Sequence, residues 1–378
     1  MGVVNVIGAG PVGLHCATKL AEEGFEVTVF EEHNTIGRPV QCAGLISKSG
    51  TKELGIELGN SVVNEVKGAK IFAPGGESTT IRKPETVAYV LDRYLFDQMF
   101  YKKSKRLGVE VRTDNKLIDV RNESLFMQNH GRGELVKSKV TVGADGANSV
   151  VRHSIFPSML KKEFVHALQV RAEGKFDKEL VEVHFGEFAP GFFAWVIPES
   201  ARIARIGIGV RLGENAAEAF KAFAAKRQFD IKLLSKSSAL IPISPPIKNL
   251  VSGNTLLVGD AAAHTKATTG GGIIFGLKAA EACADTIANH LKHRQPLTNY
   301  SKNMQEINKE LALHWKIYSN IHSMPEKKLD AMVTKAKNAG IEKFLEEQGD
   351  MDKPSKFIRK MIFNPRMWSL LPTVLKTP

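Results

Sequence analysis

Apolar and polar positions change period several times along the chain, and each change marks an element. Val3 to Ile7 is a short apolar run ending in glycines, the pattern of a buried strand. Pro11 to Glu23 places Val12, Cys16, Ala17, Leu20 and Ala21 near one helical face, and Gly24 stops that helix. Glu26 to Phe30 reads as a second strand ending at Glu31-Glu32, so the chain opens with β-α-β at short spacing and predicts a parallel sheet. Glycine and proline then gather at Gly37-Arg38-Pro39, Gly44 and Ala73-Pro74-Gly75-Gly76, where loops and a hairpin are expected. Leu91 to Leu107 reads as helix, packing through Leu95, Met99 and Phe100. Val109 to Val111 returns to strand, and Val140 to Gly146 is a strand running into a tight turn.

From Glu163 to Val210 the period becomes two, as in Val181-Glu182-Val183-His184-Phe185, which predicts antiparallel strands with one exposed face. After Pro242-Ile243-Ser244-Pro245-Pro246 the first pattern returns. Thr255 to Val258 is a strand, then comes a glycine loop, then a helix from about Ile273 to His290. Everything beyond Pro296 reads as helix, broken at Pro325, Gly340, Pro354 and Pro365. No internal repeat interrupts this order. The first domain is therefore expected to be discontinuous, with an antiparallel domain inserted and a helical tail appended.

Composition narrows the class. At roughly 100–200 residues per domain, 378 residues predict about two or three domains. A chain 43% hydrophobic and 24% charged is neither disordered nor collagen-like. No apolar run approaches the roughly 18 residues that a membrane span needs. The opening segment, Met1 to Ile7, has no basic region and no cleavage site, so no signal peptide is expected. The three cysteines, Cys16, Cys42 and Cys283, have no metal-like spacing and make poor disulfide material, which predicts a reduced, intracellular setting and no metal centre. Lys and Arg total 52 against 40 for Asp and Glu, a net charge of +12. That surplus calls for an anionic partner: nucleic acid, a membrane surface, or acidic substrates and cofactors.

The first chemical motif is Gly8-Ala9-Gly10-Pro11-Val12-Gly13. Gly8 allows a tight turn, Gly10 lets backbone approach a pyrophosphate, and Gly13 permits close helix–strand packing. The helix that starts there offers free N–H groups and the positive end of its dipole. Glu31 closes the second strand about 20 residues on, where a carboxylate reaches ribose hydroxyls; Glu32 is the alternative ligand. The pattern predicts dinucleotide binding. An ordinary glycine turn between strand and helix is the plainer reading.

Two later motifs bear on which dinucleotide: Gly143-Ala144-Asp145-Gly146-Ala147-Asn148-Ser149-Val150-Val151-Arg152 and Leu257-Val258-Gly259-Asp260-Ala261-Ala262. With the first motif they resemble the para-hydroxybenzoate hydroxylase branch of FAD-dependent enzymes, which implies bound FAD. On physical grounds Asp260 ends a strand and can accept a hydrogen bond from a ribityl hydroxyl, or simply cap the next helix. Asp145 can serve the cofactor or cap a turn. Gly270, Gly271 and Gly272 precede a helix whose N-terminus would stabilise negative charge on a reduced flavin.

Within that branch the chain resembles the geranylgeranyl reductase family, over roughly residues 1–290. Pro190-Gly191-Phe192-Phe193-Ala194-Trp195-Val196-Ile197-Pro198 is similar to its P-x-x-Y-x-W-x-F-P motif, Gly37 to Ser47 to its cysteine loop, and Thr268 to Ile273 to its T-G-G-G-I loop. Glu65 to Ala69 and Tyr89 to Arg93 also look like archaeal members. Phe193 stands where the motif has Tyr, Ile197 replaces its second Phe, Ala263 and Ala267 replace a common Gly and Pro, and Cys42 is followed by Ala43-Gly44. These departures touch the substrate more than the flavin.

The resemblance implies an α/β fold, α+β overall: a discontinuous Rossmann-like FAD domain (1–65, 85–160, 250–295), an inserted antiparallel β-sheet substrate domain (66–84, 161–249), and a C-terminal helical region (296–378). It implies hydride transfer from reduced flavin to isoprenoid double bonds of membrane lipids or their precursors. An isolated alkene also needs a proton on its other carbon. The sequence does not name the acid that supplies it; Cys42, by its place in the matched loop, is a candidate for a mechanistic role, or a small buried hydrophobe. His264 is a candidate proton shuttle, or a solvated loop residue. Phe193, Trp195 and Ile197 share one strand face and would line a prenyl tunnel, or merely pack the sheet. Arg93 is carried over as a flavin contact, with a surface helix arginine as the alternative. The donor is left open among NAD(P)H, ferredoxin and a deazaflavin. A hydroxylase of the same fold and a non-enzymatic prenyl-lipid carrier are the competing functions. No nucleic-acid motif appears. The tail interleaves Lys353, Lys356, Arg359, Lys360, Arg366 and Lys376 with Phe357, Ile358, Met361, Ile362, Phe363, Trp368, Leu370 and Leu371, which suits peripheral contact with anionic lipid, or a helix packed on the domain with a solvated basic face.

Overall fold

The computed structural model describes residues 3–121, 123–156 and 163–372. The opening β-α-β unit forms as the apolar pattern predicts. Val3–Ile7 pairs in parallel with Glu26–Phe30 on one side and with Val140–Gly143 on the other. The full order is Val251–Ser252, Thr255–Leu257, Val140–Gly143, Val3–Ile7, Glu26–Phe30, Glu110–Arg112. Only the edge pair Val251–Ser252 with Thr255–Leu257 is antiparallel. The chain leaves Val3–Ile7 toward one edge and returns on its other side, so a crevice opens at the carboxyl ends of these two central strands. The helices Pro11–Glu22 and Ile273–His293 pack together and bury Leu14, Leu20, Leu277 and Ile287 completely.

Close packing at this crevice depends on two glycines. A Cβ on Gly13 would lie 2.0 Å from the Gly8 carbonyl oxygen, and one on Gly8 would lie 2.4 Å from that of Ala144. The helix start, the first turn and the Val140–Gly143 strand are thus in backbone contact.

The second sheet has seven strands, ordered Lys232–Pro242, Phe164–Glu173, Ile203–Arg211, Ala194–Pro198, Leu180–His184, Gly68–Phe72, Ser78–Arg82. The early hairpin Gly68–Arg82 therefore joins strands that lie more than a hundred residues later. The antiparallel expectation needs one correction: Leu180–His184 pairs in parallel with Gly68–Phe72. No tight turn joins those two strands, so nothing forces them to run in opposite directions. The face carrying Ala194 and Val196 packs under the helix Ala216–Arg227, with Phe223 at its centre. The opposite face, with Phe193, Trp195 and Ile197, packs with Val66, Val90 and Ala267 toward the first domain.

Two small three-stranded sheets complete the β structure: Lys116–Lys137, a meander, and Leu45–Ser47 with Ala88–Leu91 and Val62–Val66. The tail folds as helices Gln305–His322, Glu326–Asn338, Ile341–Gln348 and Pro354–Ile362. Its breaks fall at Pro325, Gly340 and Pro354, and Pro365 opens a final 3-10 turn. Lys376 lies outside the described residues.

Replacing Gly13 by Ala tests the backbone contact. The methyl meets a carbonyl that moves only if the turn opens, so Gly13→Ala is expected to lower stability by about 3 kcal/mol. A denaturant midpoint equal to that of the unaltered protein would show that the turn yields freely.

Candidate functional site

At the nucleotide end, Gly8 adopts a left-handed conformation (φ 102°) and its N–H donates to Phe30 O at 2.8 Å. Glu31 stands beside this turn. Its Oε2 accepts from Ala9 N at 2.8 Å, and its Oε1 accepts from His33 N at 3.1 Å. Gly10 caps the helix without any side-chain cap, and no atom lies within 4 Å of where its Cβ would be. Bare helix N–H groups facing open space beside a carboxylate fit a pyrophosphate and its ribose.

The second motif loop is held from inside. Asp145 accepts from Ser149 Oγ at 2.6 Å and from Val151 N at 3.1 Å, so its carboxylate braces the turn. Burial raises its pKa against those bonds. Arg152, 1% exposed, donates to Ala147 O at 2.6 Å and Ala261 O at 2.9 Å. It thereby ties the Asp145 loop to the Asp260 loop. Asp260 accepts from Thr265 Oγ1 at 3.3 Å, and among the described residues no hydrogen bond reaches its second oxygen. Burial raises its pKa, with Arg93 and Arg152 pulling the other way. Gly272 must be glycine-sized because a Cβ there would lie 2.7 Å from Asp260 Oδ1. Gly272 starts the helix Ile273–His293 with no side-chain cap, just as Gly10 starts the first.

Arg93 is buried in the cavity wall, not on the helix surface. It pairs with Asp97 at 2.6 Å, one turn along the same helix. Burial disfavours its charge, but Cys42 and Asp97 outweigh burial and hold its pKa above the ordinary arginine value. Among the described residues its buried Nε has no hydrogen-bond partner. An orphaned donor in the wall, two uncapped helix starts and a glycine floor are what a flavin dinucleotide would complete.

Cys42 is half-buried beside Arg93, and its Sγ accepts from Gly44 N at 3.3 Å. The loop is pinned from the seven-stranded sheet: Arg205 donates to Ala43 O at 2.7 Å and to Glu199 Oε1 at 2.7 Å. His264 is placed differently from both readings of the sequence. It is 2% exposed, so it is not a solvated loop residue. Its Nδ1 accepts from Gly259 N at 3.2 Å, and it does not line the cavity. Burial lowers its pKa to about 3, so the ring stays neutral and holds the Gly259 turn.

Gly10, Cys42, Arg93, Asp145, Asp260 and Gly270 to Gly272 line one cavity of about 1340 Å³. Phe193, Trp195 and Ile197 form its wall and are also core, 6–8% exposed. Phe192 stacks on Phe193 at 4.1 Å, and Trp195 donates to Gln169 Oε1 at 3.2 Å. Trp195 fits because Gly207 faces it, where a Cβ would be 2.2 Å from the indole. The roof is the helical tail: Ile317, Leu329, Val333, Leu345 and Phe357 close the cavity opposite Ala69, Ile71 and Ile81.

Sequence reading missed the polar cluster that holds this roof. Lys266 and Asp352, 5% and 2% exposed, pair at 2.5 Å. Ser47 Oγ also donates to Asp352. Burial works to raise the Asp352 pKa, but Lys266, Ser47 and Lys278 hold it below the usual value. His314, whose pKa burial lowers to about 3, accepts from Thr268 Oγ1 at 2.6 Å and donates to Asp352 O at 3.2 Å. The cluster joins the glycine loop, the cysteine segment and the tail.

A discontinuous parallel sheet with these three loops around one crevice defines an FAD-dependent oxidoreductase. The FAD binding domain family matches residues 1–312, and the chain belongs to it and, within it, to the digeranylgeranylglycerophospholipid reductases. The reductase of that name from Methanosarcina acetivorans is 30% identical across 75% of this chain and 74% of its own. Its counterpart from Methanothrix thermoacetophila is 29% identical across 82% and 85%. Among solved structures, a geranylgeranyl bacteriochlorophyll reductase-like protein from Thermoplasma acidophilum superposes with a TM-score of 0.84 at 21% identity, covering 99% of both chains. The flavin-dependent brominase Bmp2 shares the fold at a TM-score of 0.73 and 17% identity, covering 96% and 98%.

Asp352→Asn leaves Lys266 buried without a counter-charge and is expected to cost about 3–5 kcal/mol of stability. Lys266→Met combined with Asp352→Leu should recover most of that loss. A single variant as stable as the parent in thermal unfolding would mean that the pair does not hold the roof.

Proposed function

We propose that the chain reduces carbon–carbon double bonds of geranylgeranyl chains on membrane lipids or their precursors. The observation that carries this reading is the continuity of the cavity: the flavin-site loops and a long apolar space under the tail helices are walls of one chamber. The names of the relatives support the same substrate. FAD, when bound, supplies the hydride equivalent. Gly10, Glu31, Arg93, Asp260 and Gly270 to Gly272 hold it, while Asp145 and Arg152 brace the loops around it. Phe193, Trp195 and Ile197 align the chain and exclude water. Cys42 stands at the reacting end, beside Arg93. His264 acts by positioning the Gly259 turn.

Purified protein is expected to carry FAD. After dithionite reduction without oxygen, it should convert a geranylgeranyl lipid to products heavier by pairs of hydrogen, read by mass spectrometry. Cys42→Ala should slow that single turnover on the order of a hundredfold while FAD absorbance persists. An unreduced lipid after complete flavin reoxidation would sink the reductase reading. Because the reductant is chemical, the result holds for any physiological donor.

The enzyme, in this reading, works at the lipid surface. No helix among the described residues is long and apolar enough to cross a membrane. Ile358, Met361 and Leu370 of the tail are buried, whereas Phe363, Trp368 and Ile362 are 86%, 57% and 45% exposed, close to Arg359 and Arg366. Exposed aromatics beside cations suit the interface of an anionic bilayer. Phe363→Ser with Trp368→Ser is expected to weaken co-sedimentation with phosphatidylglycerol vesicles about tenfold. Binding that persists in both the variant and high salt would place the contact elsewhere.

A further inference from the structure

Lys266 holds a buried ammonium group against the glycine floor. It is 5% exposed, lines the cavity, and belongs to the loop between Asp260 and Gly270. That loop closes tightly: Gly270 N donates to Lys266 O at 2.8 Å, and Lys266 N donates to Gly271 O at 3.1 Å. The side chain folds back over the turn. A Cβ on Gly271 would lie 3.1 Å from its Cε and 3.5 Å from its Nζ. Gly272, the next residue, starts the uncapped helix Ile273–His293.

The counter-charge stands behind the lysine. Asp352 does not line the cavity; it sits against Ser47 and Gly50, where a Cβ would be 2.8 Å from its Oδ2. The pair therefore turns its positive end toward the chamber, and at such short range its field does not cancel. Other charges nearby are spent elsewhere. Lys278 pairs with Glu53 and Arg93 with Asp97. Asp350 accepts from Asp352 N and Lys353 N and pairs with Lys356. Lys266 gives one N–H to Asp352 Oδ1 at 2.5 Å and one to Met351 O at 3.5 Å; among the described residues the third has no partner. A leftover N–H on a buried cation is costly unless a ligand brings an acceptor.

We propose that Lys266 is a flavin contact that holds the negative charge of the reduced cofactor, and that Asp352 positions its ammonium group. A flavin that takes up two electrons with one proton gains one negative charge, and the helix start at Gly272 offers only about half a charge against it. Lys266 adds a whole one. Reduced FAD is then bound more tightly than oxidised FAD, which is the same statement as a raised reduction potential. The inference rests on the glycine loop holding the flavin and not on which lipid the enzyme reduces.

The test is the potential of the bound FAD, measured without oxygen by equilibrating the holoenzyme with a reference dye while xanthine and xanthine oxidase supply electrons. Lys266→Met/Asp352→Leu removes both charges and keeps the site packed. Its bound FAD is expected to favour the oxidised form at least tenfold more than the parent's, a fall of about 30 mV for a two-electron couple. Asp352→Asn leaves the lysine unneutralised and should shift the potential the other way. A roof that merely loosened would move both variants in the same direction, so shifts of one sign overturn the proposal, as does a double variant at the parental potential. If Asp352→Asn retains no FAD, Lys266→Arg decides: a parental potential upholds the role of the charge, and a fall matching the double variant's overturns it. No lipid enters the measurement. A protein that shows these opposed shifts but saturates no prenyl chain loses the reductase reading and keeps this one.

Discussion

The buried pair of Lys266 and Asp352 is the contact on which the chamber depends. Lys266 belongs to the loop between Asp260 and the glycine floor, and Asp352 to the junction of the last two tail helices. Two charges at 5% and 2% exposure are tolerated only because each has the other, with Ser47 completing the cluster. Through His314 the same aspartate carries the helix Gln305–His322. Apolar packing of the tail on the sheet is non-directional and does not fix a register. The buried cluster supplies direction, together with Thr79 Oγ1 and Thr80 N donating to Glu342 Oε1 at 2.9 Å and Tyr318 donating to Gly191 O at 2.8 Å.

Motif loops and roof divide the work of the site. Helix starts at Gly10 and Gly272 present uncapped N–H groups, and Arg93 presents an Nε with no partner among the described residues, so the cofactor end is polar. The far end is hydrocarbon, because Phe193 stands where a tyrosine is usual and leaves no phenol in the wall. Arg205, rooted in the large sheet, reaches across to fix the carbonyl beside Cys42. The cysteine is thus located by the seven-stranded sheet as much as by the motif loops of the crevice.

Much of this was legible in the sequence where short-range rules apply. Gly8, Gly10, Gly13 and Glu31 lie within one β-α-β unit, and prolines and glycine mark the tail helices to within a residue. The alternation that put Phe193, Trp195 and Ile197 on one face needs only the pleat. What escaped was long-range or weakly patterned. Asp352 gains its meaning from Lys266, 86 residues away, and no spacing rule connects them. The helix Ala216–Arg227 is alanine-rich with a poorly defined stripe, and only Phe223 commits it to the sheet. His264 sits in a loop that looks polar on paper, yet it is buried because the Gly259 turn folds over it. Arg93 with Asp97 was within reach, since an i,i+4 pair on a helix is a local signal.

The discontinuity of the first sheet also bears on how the protein is made. Val140–Gly143 finds its outer neighbour only at Thr255–Leu257, after five of the seven strands of the second sheet have intervened. A ribosome has therefore released about two-thirds of the chain before the dinucleotide crevice can close. Until then the apolar edge of Val140–Gly143 is unpaired, and the nascent protein carries its longest exposure to misassociation at the strand next to its cofactor site.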